Sequence, residues 1–145
     1  MRDMGNNVLA QSSIPPAAQT SATVTGTARA VKDFHEMGAV IHVGAATTLD
    51  ATNYYTAKVQ TGDLADGSDA ADIAAADYIN PHDQAGADWD RKLDTAAGAD
   101  ADKDFFFGFV TRGKTYARVV LVETGAADAI IGASIVAGKP KHAPV

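Results

Sequence analysis

Alternation of apolar and polar residues is the main pattern along the chain after residue 20. It is clear in "EMGAVIHVG" and in "NYYTAKVQTG", where every second residue is apolar. The apolar positions that would share a face are Met37, Ala39, Ile41 and Val43 in the first segment and Tyr55, Ala57 and Val59 in the second. A period of two is typical of half-buried β-strands, and no segment sustains the 3.6-residue stripe of an amphipathic helix. The pattern predicts an all-β sandwich, jelly-roll-like, with an extended N-terminal arm.

The last third of the chain predicts three more strands. "DFFFGFVTRGKTYARVVLVETG" is expected to form a hairpin with arms 104–110 and 115–123, because "TRGK" supplies Gly113 for a positive φ at the turn. "DAIIGASIVAG" predicts the final strand. Residue pairs that share a face should supply much of the core, namely Phe105 with Phe107 and Val120 with Val122.

The middle of the chain differs in composition. Residues 63–104 hold 12 of the 16 Asp residues, set among Ala and Gly. Asp is a poor residue in the interior of a helix, so we expect loops here with one short helical turn near 70–76. Trp89 is expected to hold one of these loops, or a short strand, against the body of the domain.

The first twenty residues are polar and show neither period. They allow two interpretations, a disordered segment or an arm that becomes ordered on a partner. In the second, the apolar anchors are Val8, Leu9 and Ile14, followed by Pro15 and Pro16. The predicted organisation is therefore an arm at 1–20, a β-sandwich domain at 21–138 and an extended tail at 139–145.

Charge and composition exclude several classes of function. The net charge of −6 with scattered Lys and Arg does not provide the basic surface that nucleic-acid binding requires. The absence of cysteine excludes disulfides and thiolate sites. No apolar run approaches the length of a membrane span, and the first residues lack the apolar core of a secretory signal. We expect a protein made in the cytoplasm that binds neither nucleic acid nor membrane.

Each enzymatic motif that the sequence suggests is incomplete. "HEMGA" lacks the second His of a zinc-protease motif, and "GASIV" has Val136 where a nucleophile elbow needs Gly. The histidines at positions 35, 42, 82 and 142 are dispersed, and "DADKDFF" has Phe105 in place of the glycine of a calcium loop. Asp63, Asp66 and Asp69 allow two interpretations, a calcium-binding loop or a solvated acidic loop. The solvated loop is favoured. The prediction is a protein without catalytic activity and without a cofactor.

Two strands are apolar on both faces, in "YARVVLVE" and "IIGASIVAG". Such a strand in a small sandwich implies cover beyond a single core, supplied by the arm or by another subunit. The residues predicted to form a subunit interface are Val119, Leu121, Ile131 and Ile135, together with Pro140 and His142 of the C-terminal segment.

The C-terminal third resembles a family of small structural proteins of tailed bacteriophages, which are similar to head decoration, or cement, proteins. The shared pattern is an aromatic-x-Arg-Val-Val strand, a Thr-Gly turn, an apolar strand with Gly-Ala, and a final Gly-x-Pro-x-His-Ala-Pro. The matching residues are Tyr116, Arg118, Val119, Val120, Thr124, Gly125, Gly132, Ala133, Gly138, Pro140, His142, Ala143 and Pro144. The match covers about 25–30 residues.

The resemblance implies a virion protein on the outer surface of an icosahedral phage head. Its partners would be the major capsid protein and two further copies, in a homotrimer at local three-fold junctions. The arm at 1–20, with the anchors named above, would be the capsid-binding element and lie across adjacent capsid subunits. Pro140 would end the last strand, and the tail with His142 would lie against a neighbour as a structural handle. Arg118 would pair with an Asp near a strand edge.

Two other functions remain open from the sequence. The first is a tail, baseplate or head–tail joining protein, which would be present in fewer copies. The second is a carbohydrate-binding module, which needs an exposed aromatic platform. The residues that could form one are Trp89, Tyr54, Tyr55 and Tyr78.

Overall fold

The computed structural model describes residues 8–20, 22–79, 91–93 and 103–140. Trp89, the first residues of the "DADKDFF" segment at 100–102, and the tail residues from 141 onward, His142 included, lie outside these ranges. The strands, in chain order, are β1 (Val8–Thr20), β2 (Val24–Thr25), β3 (Arg29–Ala30), β4 (Phe34–Thr48), β5 (Tyr54–Gly62), β6 (Ala71–Asp72), β7 (Tyr78–Ile79), β8 (Arg91–Leu93), β9 (Lys103–Phe109), β10 (Tyr116–Thr124) and β11 (Asp128–Pro140). Within these residues, no helix is long and apolar enough to cross a membrane.

The strands form two antiparallel sheets, which confirms the predicted all-β sandwich. Sheet A has the order β1-β11-β4-β9-β7. Sheet B has the order β2-β10-β5-β6, with β3 beside β10 and β8 beside β5. The long strands that follow one another from β9 to β11 lie in alternate sheets, as do β4 and β5, and this connectivity is jelly-roll-like.

The core lies between the sheets and follows the predicted alternation. The predicted faces of β4 and β5 are confirmed, because all seven of their inward residues are at most 9% exposed. Phe107 is also buried, and Phe105 packs against the core at its margin. On β10 the inward residues are Ala117, Val119 and Leu121, whereas Val120, which was expected to serve the core with Val122, is buried on the opposite face.

The predicted hairpin at 104–110 and 115–123 is wrong, because β9 and β10 lie in different sheets. The turn itself is where the sequence placed it, with Gly113 at φ 83° and the Lys114 amide donating to the Thr111 carbonyl at 3.0 Å. The residues on either side of the turn form hydrogen bonds with other segments and not with each other. The Val110 amide donates to the Asp77 carbonyl at 2.7 Å, and the Thr115 amide donates to the Gly62 carbonyl at 3.1 Å. These bonds turn the segment into a corner that joins the two sheets.

Residues 8–20 of the predicted arm form an edge strand of sheet A instead of a free segment. β1 pairs along its length with β11, from Val8 opposite Gly138 to Thr20 opposite Asp128. Ser13 connects it to sheet B. The Ser13 hydroxyl donates to the Thr27 carbonyl and accepts from the Val119 amide, each at 3.0 Å, and it is 1% exposed. The polar residues that made this segment resemble an arm therefore serve as hydrogen-bonding groups across the edge of the sandwich.

The Asp-rich segment contains less helix than the prediction placed near residues 70–76. The described part has the short strand β6 and a 3-10 turn at Ala75–Asp77. Asp77 is 7% exposed, and its carboxylate pairs with the Arg112 guanidinium at 2.5 Å. This ion pair fastens the 3-10 turn to the corner between β9 and β10.

One end of the sandwich is held by the loop between β4 and β5. The Asp50 carboxylate accepts from the Thr52 and Asn53 amides at 2.7 and 2.8 Å and from both of their side chains. These hydrogen bonds to the charged form lower the pKa of Asp50 far below its usual range. Asn53 in turn accepts from the Ala126 amide at 2.8 Å, so the loop is linked to the turn that precedes β11.

We expect Asp50→Ala to lower the thermal unfolding midpoint at neutral pH. The folded-state pKa of Asp50 is depressed, so its charge stabilises the fold above the ordinary value of 3.8 and the benefit is lost as the pH falls below that value. The difference in midpoint between wild type and variant should therefore shrink as the pH is lowered from 6 through about 3.8. Asp33→Ala, in the exposed turn before β4, is the control. An equal midpoint difference at all pH values would contradict this account.

Candidate functional site

The four apolar residues predicted to form a subunit interface lie inside the chain's own core. Val119, Leu121, Ile131 and Ile135 are each at most 1% exposed. The inward faces of β10 and β11 pack inside the sandwich, so on these faces the chain itself supplies the cover for which the sequence allowed either the arm or another subunit. These four side chains could contact another copy only if the sandwich opened.

The predicted capsid-binding residues are divided between core and surface. Ile14 is 2% exposed, and Leu9 packs against the core, so neither is a free anchor. Val8 is 47% exposed, and Pro15 and Pro16 are exposed on β1. The predicted tail begins later than expected, since β11 extends to Pro140, opposite Phe34 of β4.

The outer face of sheet A carries an apolar band that crosses all five strands. Residues directly opposite one another in antiparallel strands share a face, so the register of the sheet gives the rows of this surface. We define the apolar band as two adjacent rows, one of Ala10, Val136, Gly38, Gly108 and Ile79, the other of Ser12, Ser134, Val40 and Phe106. Phe106 is 57% exposed and Ile79 48% exposed. In monomeric proteins the largest exposed apolar patch, of about 300–600 Å², is often an interaction site.

Two glycines keep the apolar band flat. A Cβ at Gly38 would lie 2.5 Å from the Cε2 atom of Phe106, so the aromatic ring lies across the backbone of β4 at this point. A Cβ at Gly108 would lie 3.2 Å from the Cβ of Ile79. The glycines therefore leave room for the two largest side chains of the band to lie on the sheet.

Polar side-chain pairs border the apolar band at both ends of the strands. The Lys139 ammonium lies 3.5 Å from the Glu36 carboxylate on one side. On the other side, Nδ1 of His42 lies 2.8 Å from the Asp104 carboxylate. An apolar centre with a polar rim is the composition of the core and margin of a protein–protein interface.

The outer face of sheet B is polar by contrast. The Arg118 guanidinium donates to the Gln60 side-chain oxygen at 2.9 and 2.7 Å, and the Gln60 amide donates to Asp72 at 2.8 Å. Lys58 lies 3.4 Å from the same Asp72 carboxylate. The partner of Arg118 is therefore an amide oxygen of the neighbouring strand, whereas the sequence had suggested an Asp. The two outer faces of the sandwich differ sharply, one hydrogen-bonded and charged, the other apolar.

The acidic loop considered for calcium uses its carboxylates within the protein. The Lys114 ammonium donates to Asp63 at 2.6 Å, which lowers the pKa of Asp63 and raises that of Lys114. Asp69 accepts the amides of Asp63 and Leu64, and Asp66 accepts from Ser68. In the part of the chain that the structure describes, no three His, Asp or Glu side chains are grouped as metal ligands.

The described aromatic residues do not assemble the platform that glycan binding needs. Tyr55 is fully buried and donates its hydroxyl to the Ala127 carbonyl at 3.1 Å. Tyr78 is 7% exposed, and its hydroxyl accepts from the Val59 amide at 3.2 Å. Tyr54 is half-buried, with the Lys92 ammonium 4.1 Å from the centre of its ring. Of the four predicted platform residues, two are in the interior, one is stacked against a cation, and Trp89 lies outside the described residues.

Comparison with known proteins identifies the fold. No protein-family model and no curated protein matches the sequence. Among solved structures, the chain is similar to the VP2 protein in the crystal structure of the infectious bursal disease virus VP2 subviral particle, with a TM-score of 0.52 and 9% identity over 94% of this chain and 33% of that chain. The structure of the Gx strain of the same virus matches with a TM-score of 0.46 and 10% identity over 94% of this chain and 33% of that chain. Nothing below rests on this weaker similarity.

At this level of identity the likeness concerns the fold alone. The chain spans about a third of the VP2 chain that it matches, 33% of its length. It therefore has a β-sandwich fold of the kind seen in a viral capsid protein.

The apolar band was not predicted from the sequence, although one signal was present. In "DFFFGF", Phe106 alternates with the inward Phe105, Phe107 and Phe109, so one of the four aromatic rings had to point outward. The other members come from β1, β4, β7 and β11. Only the sheet order shows that they adjoin Phe106.

We expect Phe106→Ser to reduce the binding of a hydrophobic dye such as anilinonaphthalene sulfonate while the protein stays folded. Leu64→Ser is the matched control, because Leu64 is 51% exposed but lies in the loop after β5, away from the apolar band. Both variants should keep the free energy of unfolding within about 1 kcal/mol of wild type, since the side chains are exposed. Equal dye binding by the two variants would show that the band is not a continuous apolar surface.

Proposed function

We propose that this protein is a virion structural protein of the capsid decoration, or cement, class. It binds the outer face of an icosahedral phage head, with the major capsid protein as its partner, and stabilises contacts between capsid subunits. The observation that carries the proposal is the contrast between the two outer faces of the sandwich. A protein that lies flat on a shell needs one face for the shell and one for water, and the apolar band on sheet A and the polar face of sheet B meet these needs.

The apolar band is the surface that contacts the capsid in this proposal. Phe106 is its central anchor, because exposed aromatic side chains that become buried dominate the energetics of interfaces. Ile79, Val40 and Val136 are the other large apolar side chains of the band. The Lys139–Glu36 ion pair and the His42–Asp104 hydrogen bond stay at the hydrated rim. Docking would remove the exposed side chains of Phe106 and Ile79 from water.

The area of the band indicates that one copy alone binds weakly. Five strands about 4.8 Å apart and two rows of side chains about 7 Å apart give an area of about 330 Å². At about 25 cal/mol per Å² this contributes at most about 8 kcal/mol. Association itself costs about 4–15 kcal/mol, so little remains for a single site. A standard interface buries about 800 Å² on each partner.

Linked copies overcome this limit. Three copies in a homotrimer at a local three-fold position place three apolar bands on adjacent capsid subunits. The second and third contacts are then intramolecular, so overall affinity exceeds that of one band by a large factor. The same linkage ties neighbouring capsid subunits together, which is the mechanical role of a cement protein. Nothing in the proposed mechanism requires catalysis, a cofactor or nucleic acid.

We expect wild-type protein to co-sediment with gradient-purified particles. The affinity of Phe106→Ser for the particles should be lower by at least about tenfold, which corresponds to about 1.4 kcal/mol in the free energy of binding. Leu64→Ser should bind like wild type, because Leu64 lies outside the apolar band. Equal binding by both variants would contradict the assignment of the band as the capsid contact.

Copy number on the particle separates the decoration role from other positions in the virion. A ratio near one copy for each capsid subunit agrees with a shell-wide decoration protein. A ratio of a few per hundred subunits would instead indicate a tail, baseplate or head–tail joining protein. Absence of the protein from particles would contradict every virion role.

A further inference from the structure

The strand β1 is attached to the domain chiefly through its backbone. It pairs only with β11 in sheet A, and of its thirteen residues only Ser13 and Ile14 are buried. The hydrogen-bonding edge that it uses on β11 is identical in every copy of the chain. A second copy's β1 could therefore take the same place with the same hydrogen bonds.

The pairing of β1 is interrupted at its middle. Register shifts separate Ser12 from Ile14 and Ile14 from Ala17. Pro15 and Pro16 lie within the second shift and have no amide hydrogen to donate to a ladder. The strand thus consists of two paired segments, Val8 to Ser12 and Ala17 to Thr20, on either side of a centre in which only Ile14 is paired, with Ala133.

The link from β1 to sheet B is short. Three residues separate Thr20, at the edge of sheet A, from Val24, the first residue of β2 in sheet B. The four peptide steps from Thr20 to Val24 reach at most about 14 Å. Packed sheets lie about 10 Å apart. A short connection of this kind favours exchange of the strand between copies. Its reach requires the β11 edge of the neighbour to lie within about 14 Å of Val24.

We propose that β1 is exchanged between copies of this chain, so that each copy's β1 lies beside β11 of a neighbour in a closed ring. Ile14 would then fill the neighbour's core, and Ser13 would bridge the neighbour's Thr27 carbonyl and Val119 amide. Head-to-tail exchange of this kind closes into a ring when the rotation between copies permits it. The biological role of the exchange rests on the proposed function. Exchanged strands would provide the linkage between copies that a weakly binding apolar band requires.

The absence of cysteine from the sequence makes a direct test possible. Ala10 of β1 and Val136 of β11 are directly opposite in the register, and both belong to the outer face of sheet A. Opposite residues in antiparallel strands have Cα atoms about 4.5–5.5 Å apart, which suits a disulfide. In the full-length double variant Ala10→Cys/Val136→Cys, oxidation should covalently join chains if β1 is exchanged. Oxidation should leave single chains if β1 stays in place.

The matched control is Thr56→Cys/Val122→Cys, a directly opposite pair within β5 and β10. This pair should oxidise within one chain under both arrangements. On a non-reducing gel we expect covalent multimers from the first pair and monomers from the control. A second variant, with four Gly and Ser residues inserted between Thr20 and Val24, should return the first pair to mostly monomeric product because the longer link relieves the constraint.

Monomeric product from the first pair with no free thiol left would overturn the exchange. Free thiols that persist in the first pair while the control oxidises would also overturn it, since β1 would then lie beside no β11. The measurement is made on free protein at several concentrations, because Ala10 and Val136 belong to the apolar band, and particle binding is measured separately with the wild-type protein. The disulfide assay tests the exchange of β1, and the co-sedimentation assay tests the proposed function. A negative result in one assay does not change the interpretation of the other.

Discussion

Coverage of strand β11 is the constraint on which the rest of the structure depends. Its inward residues from Ala129 to Ala137 are at most 2% exposed, and its two edges are paired by β1 and β4. Without β1, the backbone of β11 would present unpaired amide and carbonyl groups beside a strongly apolar surface, which is a template for aggregation. The Ser13 hydroxyl then fixes β1 to sheet B through Thr27 and Val119.

The same coverage explains where reasoning from sequence succeeded and where it did not. Alternation depends on local geometry, so it identified the inward faces of β4 and β5 correctly. Alternation did not reveal β1, because the polar residues and two prolines of this segment suit an edge strand whose partner, β11, is distant in sequence, with Thr20 paired to Asp128 at the nearest point. Ile131 and Val119 were assigned to a subunit interface because nothing local shows which surface covers an apolar strand.

The missed hairpin and the missed apolar band have a related cause. A turn signal such as Gly113 fixes the local backbone but cannot say whether the two arms pair with each other or continue into different sheets. That choice is made by Asp77, Gly62 and their distant hydrogen bonds. Likewise, Phe106 becomes part of a surface only because β4 and β7 flank β9. Sheet order, which no local pattern contains, therefore determined both the corner and the candidate site.

The proposed function combines a weak apolar contact with a linkage between copies. Both depend on the orientation of the sandwich on the particle, with sheet A facing the capsid. A cryo-electron microscopy reconstruction of gradient-purified particles, at a resolution that separates the two sheets, tests that claim most directly. The account predicts density outside the shell, with sheet A and Phe106 facing the capsid protein and the Arg118–Gln60–Asp72 face in solvent. Density with sheet B against the shell, or no density on the outer surface, would contradict it.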